Sequence, residues 1–326
     1  MRLKIFWVKK KQKFIVKPIV ILSLIFIGCA FAFCLAEVMV RKFVNFPLNK
    51  EYGKFLHLSG FSIPERSIDD ELFWKLSVEF RGIKHSREKE RGVFRIICLG
   101  DSMTQGHGIH GSSLPREQTY VFYLKKTLED SHIDKKFEII NAGVGGYSSL
   151  QGLRYLEGKL IEFNPDLVIS WFGVNDNSDA LFFADKDQRL ASKVDQKEDG
   201  LMERSKLYLF FKNIIFRPNL SRVSTNDYYK NCEKMLLLAK KNNFEIAFVA
   251  PVELEGKRIE YYLPYKKVLE KLKSKYNCIT IELRDVLNLN SEIDKFFIDN
   301  CHATAEGNKL IAELIKVSLF RNNVME

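Results

Sequence analysis

This 326-residue sequence predicts an α/β fold, a parallel sheet with helices on both faces, preceded by one apolar helix near the N-terminus. Three observations carry that prediction. From Val93 onward, five short apolar runs alternate with segments of helical spacing, the pattern of a parallel sheet buried on both sides. The runs end in small or polar residues (Gly100-Asp101-Ser102, Asn141-Ala142-Gly143, Gly173-Val174-Asn175-Asp176), which places chemistry at the carboxyl ends of the strands, where ligands bind in such sheets. And "PIVILSLIFIGCAFAFCLA", Pro18 to Ala36, carries no charge over 19 residues.

That apolar segment as a helix spans roughly 28 Å, close to the hydrocarbon thickness of a bilayer. It follows a basic tail. Of 51 Lys and Arg, seven lie before Pro18 with no acid among them; the other 44 face 41 acidic residues, so the net charge of +10 is mostly an N-terminal effect. It does not indicate a nucleic-acid partner, and no basic motif of that kind is present. The sequence therefore reads as a cytoplasmic tail (1–17), a transmembrane signal-anchor (18–40) with its N-terminus in the cytoplasm by the positive-inside rule, and an extracytoplasmic remainder. The competing reading is a cleaved signal peptide, leaving a secreted or lipid-anchored domain: Ala30-Phe31-Ala32 is a small-x-small site, and Cys29 follows Gly28. The six cysteines show no CxxC or metal-type spacing, so neither a disulfide framework nor a metal is expected.

Residues 41–92 hold scattered aromatics and a charged stretch, "KHSREKERG", and read as a linker or stalk that packs partly on the domain. The domain proper is expected over 93–326. "VFRIICLG" is the first strand and "TYVFYLKKTLED" the helix after it; "FEIINAG" is the second strand. In "SLQGLRYLEGKLIEF" the residues Leu150, Leu153, Leu156, Leu160 and Ile161 share a helix face. "PDLVISWFG" is the third strand, "TNDYYKNCEKMLLLAKKNN" a helix, "FEIAFVAPV" the fourth strand. "RIEYYLPYKKVLEKLKSKY" reads as a helix interrupted by Pro264, "CITIELRD" as the fifth strand, and "TAEGNKLIAELIKVSLF" as a closing helix with Thr304 at its N-cap and Glu306 in its first turn. The rhythm breaks at 177–224, an irregular connection that reads as either a lid or a solvated insertion.

Serine is a poor nucleophile without a base to take its proton. Among six histidines, His302 stands out: it lies beyond the last strand in "DNCHATAEG", with Asp299 three residues before it, a spacing that on a tight turn brings a carboxylate to one imidazole nitrogen and leaves the other free. The loop "NAGVGGYSS" offers backbone N–H groups with little steric cover, and "FGVND" offers the Asn175 amide, both suited to an oxyanion. Gly-Asp-Ser alone occurs by chance in on the order of one chain in ten of this length, and each other segment is compatible with a plain turn. Their ordered occurrence at strand ends is what argues for a site. His107 and His110 suit a rim or structural role better than a metal pair, and Asp101 and Asp176 are expected to hold the loops beside them.

"LGDSMTQG", "NAGVGGYSS", "GVND" and "DNCH" resemble, in order, the four blocks of the SGNH hydrolase (GDSL-type esterase/lipase) superfamily, over roughly residues 93–320. The resemblance implies a flavodoxin-like three-layer α/β/α sandwich with a five-stranded parallel sheet. It implies Ser102 as nucleophile, His302 as base and Asp299 as its orienter, with an oxyanion hole from the Ser102 and Gly146 N–H groups and the Asn175 side chain, and no cofactor. Cys301 departs from the commonly small or apolar residue of the last block; as a competing nucleophile it would need His302 to face it. The expected function is a membrane-anchored serine esterase cleaving carboxylic esters of lipids or acylated glycans. The alternatives are an O-acyltransferase or deacetylase acting on surface glycans, and a non-enzymatic glycan- or lipid-binding domain.

Overall fold

The structure is a computed structural model that describes residues 8–43, 66–69, 71–108, 112–131, 134–180, 184–187, 205, 207–208, 220–256, 258–288 and 292–325. His57, His110 and His132, most of the 177–224 connection and the first seven residues of the basic tail lie outside the described residues. The chain divides into two compact units, one of residues 1–51 with 194–218 and one of residues 52–193 with 219–326.

The first unit is built on helix α1 (Val8–Phe43), which runs from the basic tail through the uncharged segment, with Pro18 inside it. Its stretch Pro18–Lys42 contains an 18-residue window of mean hydropathy 2.8 and is long and apolar enough to cross a membrane. Near its end Glu37 pairs with Arg41 at 2.7 Å and accepts hydrogen bonds from Ser205 Oγ and Leu207 N, both at 2.8 Å.

The second unit holds the predicted sheet. Five strands, β3 (Val93–Gly100), β4 (Lys136–Gly143), β5 (Leu167–Trp171), β6 (Glu245–Val249) and β9 (Ile279–Ile281), lie in the order β4-β3-β5-β6-β9, and every pairing is parallel. Their cores are continuous apolar runs because both faces are covered: Ile96, Ile97, Cys98 and Leu99 of β3 are all fully buried. Each Ile or Leu so buried contributes about 1.5–3 kcal/mol of transfer free energy.

Helix placement follows from the strand order. The connection β3→β4 steps to one side and carries α2 (Tyr120–Glu129). The connections β4→β5, β5→β6 and β6→β9 step to the other, carrying α3 (Ser149–Gly158), α4 (Thr225–Lys241) and α5 (Leu263–Tyr276). Right-handed crossovers then put α2 on the face opposite α3–α5. The closing helix α6 (Ala305–Arg321) packs beside α2, and α3, α4 and α5 pack on one another in sequence, completing the α/β/α sandwich. Thr304 caps α6 by accepting from Gly307 N at 3.2 Å, as the sequence predicts.

One segment differs from the sequence reading. "RIEYYLPYKK" is not one interrupted helix. Arg258–Tyr261 forms strand β8, antiparallel to β7 (Val252–Glu255), and Pro264 stands in the first turn of α5. A proline there costs nothing, because its missing N–H has no helical acceptor in the first turn. Residues 66–92 pack on the sheet domain. An antiparallel hairpin, β1 (Arg66–Asp69) and β2 (Phe73–Leu76), contributes Phe73, Trp74 and Leu76 to the main core. The charged stretch after it is tied down through Arg95, buried in β3, which bonds Glu138 Oε2 at 2.7 Å and Arg87 O at 3.1 Å, and through Lys89 to Asp166 at 2.6 Å.

Candidate active site

Strand register sets the level of the site. Gly100 pairs with Gly143 on one side and Trp171 on the other, so the loops leaving β3, β4 and β5 start from one height at the centre of the sheet. This is the switch point of the strand order, where flanking connections diverge and leave a crevice. The loops then pack tightly: a Cβ on Gly143 would lie 2.1 Å from Gln105 N, so only glycine lets the β4 loop approach the turn after β3.

Asp101 caps a single helical turn, Ser102–Gln105, by accepting from Met103 N at 3.0 Å, which lifts Ser102 onto the turn's first position. Far along the chain, Phe297 and Ala303 form an isolated bridge and Ile298 N donates to His302 O at 2.7 Å, folding 298–302 into a tight loop. Within it Asp299 Oδ1 accepts from the N–H groups of Cys301 (2.9 Å) and His302 (2.7 Å), and Asp299 Oδ2 lies 2.7 Å from His302 Nδ1. His302 Nε2 is 2.8 Å from Ser102 Oγ. The structure thus brings the three residues Ser102, His302 and Asp299 into one hydrogen-bonded line. Burial raises the Asp299 carboxyl, but the donated bonds from His302 N, Cys301 N and the His302 ring outweigh it and hold the group below its ordinary value.

Gly146 and Asn175 are both partly exposed. Gly146 has φ +80°. Among the described residues, neither the Gly146 N–H nor the Ser102 N–H is given to a protein acceptor. The Asn175 amide is engaged: Nδ2 donates to Asp101 Oδ2 at 3.0 Å and to Tyr147 O at 3.2 Å. A third acceptor at this site must therefore displace the longer bond to Tyr147 O.

Cys301 Sγ lies 3.6 Å from His302 Nδ1, the nitrogen that Asp299 holds, while Nε2 faces Ser102. Burial, then the Asp299 charge, push the thiol well above its ordinary value, so its thiolate is disfavoured. His107 stacks on His302, ring centroids 5.5 Å apart at 24°. Together with Met103, Gly106, Trp171 and Cys301 the two histidines line a small, open recess. Asp299, Cys301 and His302 offer three ligand atoms within 4.8 Å of one another, but Asp299 Oδ2 and His302 Nδ1 already face each other across a hydrogen bond.

The supporting carboxyls are fully buried. Asp176 accepts from Ser149 N and Gly173 N, each at 3.1 Å, and from Ser149 Oγ. Burial pushes Asp176 up to about 7 and Asp101 up to about 6, against hydrogen bonds that favour their charged forms. The folded chain then keeps protons that the unfolded chain loses above its value of 3.8. The stability contribution is complete below that value and is lost as pH rises through about 6 to 7. The thermal midpoint of the full chain in detergent is expected to fall across this window. In Asp176→Asn, which cannot ionise, part of that fall should vanish; a constant midpoint difference between variant and wild type from pH 4 to 8 would contradict it.

Sequence reasoning named Ser102, Gly146, Asn175, Asp299 and His302. It missed Gln105, whose Oε1 accepts from Gly145 N at 2.6 Å, although Gln105 lies inside the "GDSMTQG" segment. It also missed Arg222, in the irregular connection where no motif marks it.

Residues 98–310 match the family described as "GDSL-like Lipase/Acylhydrolase family". Esterase TesA of Pseudomonas aeruginosa is 33% identical over 97 residues, 30% of this chain and 45% of that protein, so the chain matches less than half the length of this curated relative. A lipase/acylhydrolase from Enterococcus faecalis is similar in structure at a TM-score of 0.48 and 19% identity, covering 70% of this chain and 96% of that one. Axe2, an acetylxylan esterase from Geobacillus stearothermophilus, is similar at a TM-score of 0.48 and 15% identity, over 69% and 94% of the two chains.

Proposed function

The chain belongs to the GDSL-like lipase/acylhydrolase family, and from that membership and the Ser102–His302–Asp299 line we propose that it is a serine ester hydrolase working through an acyl-enzyme. Ser102 attacks the acyl carbonyl as His302 Nε2 takes its proton. Asp299 holds the Nδ1–H tautomer and stabilises the imidazolium that forms. The N–H groups of Ser102 and Gly146 and the Asn175 amide receive the oxyanion; each such donor is worth about 3–4 kcal/mol in the transition state. His302 then protonates the leaving alcohol, and water, activated by the same imidazole, releases the acid. No step requires a cofactor.

The observation that carries this reading is the 2.8 Å contact of His302 Nε2 with Ser102 Oγ while Nδ1 is held by a carboxylate at 2.7 Å. A structural histidine has no need of both. The recess beside the two residues is small, which favours short acyl groups on the acid side of the ester.

The arrangement along the chain is part of the proposal: a basic cytoplasmic tail over 1–17, a membrane anchor over 18–40, a linker over 41–92 and the hydrolase domain over 93–326, held outside the cytoplasm with 177–224 as an insertion. The apolar Pro18–Lys42 stretch supports the anchor. The test is labelling of the full chain, in detergent, with a fluorophosphonate, followed by turnover of acetyl to long-chain aryl esters and acetylated sugars. Ser102 is expected to carry the label and short acyl esters to turn over fastest. A label absent from Ser102 in folded protein would overturn the reading in favour of a binding role. Acyl transfer to an added sugar hydroxyl outpacing hydrolysis would replace it with a transferase.

A further inference from the structure

We infer that Arg222 is a positioning residue for this reaction: with Asp185 as its buried anchor, it holds the Gly146 carbonyl and thereby keeps the Gly146 N–H turned toward Ser102. This rests on the serine-hydrolase reading above. Arg222 Nη1 donates to Gly146 O at 2.7 Å. Its Nε and Nη2 grip Asp185 Oδ1 and Oδ2 at 3.2 and 2.9 Å, and Nη2 also reaches Gln151 Oε1 at 2.9 Å. The Asp185 side chain is completely buried and that of Arg222 is 17% exposed. The guanidinium also lies over the Trp74 ring, 5.9 Å from its centroid. A planar fork locked this way has one orientation, so the carbonyl it meets is fixed as well.

The consequence lies in the peptide plane that carries the Gly146 N–H. That plane sits between two glycines, Gly145 and Gly146, so no Cβ on either side of it narrows its backbone torsions. Flipped, it would present the Gly145 carbonyl where the oxyanion needs a donor. The planes on either side are clamped: Gln105 Oε1, from the turn that carries Ser102, takes Gly145 N–H at 2.6 Å, and Arg222 takes Gly146 O. With both neighbours fixed and Gly146 held at φ +80°, the donor plane has one setting. Gln105 measures it from the nucleophile's side and Arg222 from the other.

Arg222 reaches this place from the end of the irregular connection. Ladder-like bonds join its two ends: Ala180 N to Leu220 O, Arg222 N to Ser178 O and Asp185 N to Arg222 O, at 2.7, 2.8 and 2.7 Å. The described ends of the connection are therefore joined to each other, and Arg222, at that seam, donates to Gly146 O.

The experiment compares wild type, Arg222→Lys and Asp185→Asn as full chains in detergent. It reads kcat and KM for an acetyl aryl ester, Ki for an alkylboronic acid that forms a tetrahedral anion on Ser102, and the thermal midpoint. Lysine keeps the charge but cannot bridge Asp185, Gln151 and Gly146 O together. Expected for Arg222→Lys is a fall in kcat of about 10- to 30-fold, a fraction of the 10²–10³ lost on deleting a whole oxyanion donor. KM should change less than threefold, and the boronate Ki should rise by about the factor by which kcat/KM falls. Asp185→Asn should move the same quantities the same way by less, and it carries the test if Arg222→Lys does not fold. Wild-type kcat and boronate Ki in a folded variant would overturn the proposal, as would a loss matched by a lowered folded fraction with no selective loss of boronate binding. If the wild type itself shows no Ser102-dependent turnover or boronate adduct, it is the hydrolase reading that has failed.

Discussion

Ser102→Ala is expected to lower kcat for a short-chain aryl ester by about 10⁵- to 10⁶-fold, leaving only the weak acceleration, about 10³–10⁴ over water, that binding and the oxyanion donors supply without a nucleophile. The size follows from the route. Without Ser102 Oγ there is no acyl-enzyme, and His302 Nε2, 2.8 Å from that oxygen, has no proton to take from the protein. The fold should be indifferent. Among the described residues the Ser102 hydroxyl bonds to His302, and the turn around it is held by backbone bonds and by Asp101, all of which alanine keeps. The thermal midpoint should thus shift by no more than about 2 °C. Turnover and midpoint measured on the same detergent-solubilised full chain decide the matter, and a residual rate within tenfold of wild type would remove Ser102 as nucleophile. Cys301→Ser is the paired control. The Cys301 thiol is held above its ordinary value by burial and by Asp299, and the imidazole nitrogen near it is the one that the carboxylate already engages, so this variant should retain most activity.

What was legible in the sequence divides along physical lines. The five strands were readable because a parallel sheet covered on both faces demands uninterrupted apolar runs, and "VFRIICLG" or "PDLVISWFG" can serve little else. The site loops were readable because the chemistry dictates residue types at strand ends. The β1–β2 hairpin was not, since its two four-residue strands meet at Phe73, which adopts φ +67° without the glycine or asparagine that would announce such a turn. Strand β8 was not, because Tyr261 and Tyr262 continue the apolar spacing of the helix behind them and mask the change of period at Pro264. Arg222 was unreadable in principle. Its role depends on Gly146, 76 residues away, and on an acid whose burial exists only in the folded chain.

Asp299→Asn is the second large effect, and its interest is that it should damage the reaction more than the more drastic Asp299→Ala while damaging the fold less. The two carboxylate oxygens have separate duties. Oδ1 accepts the Cys301 and His302 N–H groups and so shapes the turn; Oδ2 faces His302 Nδ1. Asparagine can keep its oxygen in the first position, preserving the turn, and then its amide nitrogen meets Nδ1. Nδ1 must accept, the ring proton moves to Nε2, and Nε2 donates to Ser102 Oγ when it should accept from it. A fall in kcat of about 10⁴ is expected from this wrong tautomer, with KM changed little. Alanine imposes no tautomer. The Asp299 side chain is 47% exposed, so water can take the Nδ1–H, and the expected loss is about 10²–10³. But alanine also leaves two N–H groups of the 298–302 loop without their acceptor, and its thermal midpoint should lie below that of the asparagine variant. Activity and stability are thus expected to rank the two substitutions in opposite orders. The same order in both would mean that Asp299 serves only to shape the loop, and that the proton on Nδ1 is placed by some other group.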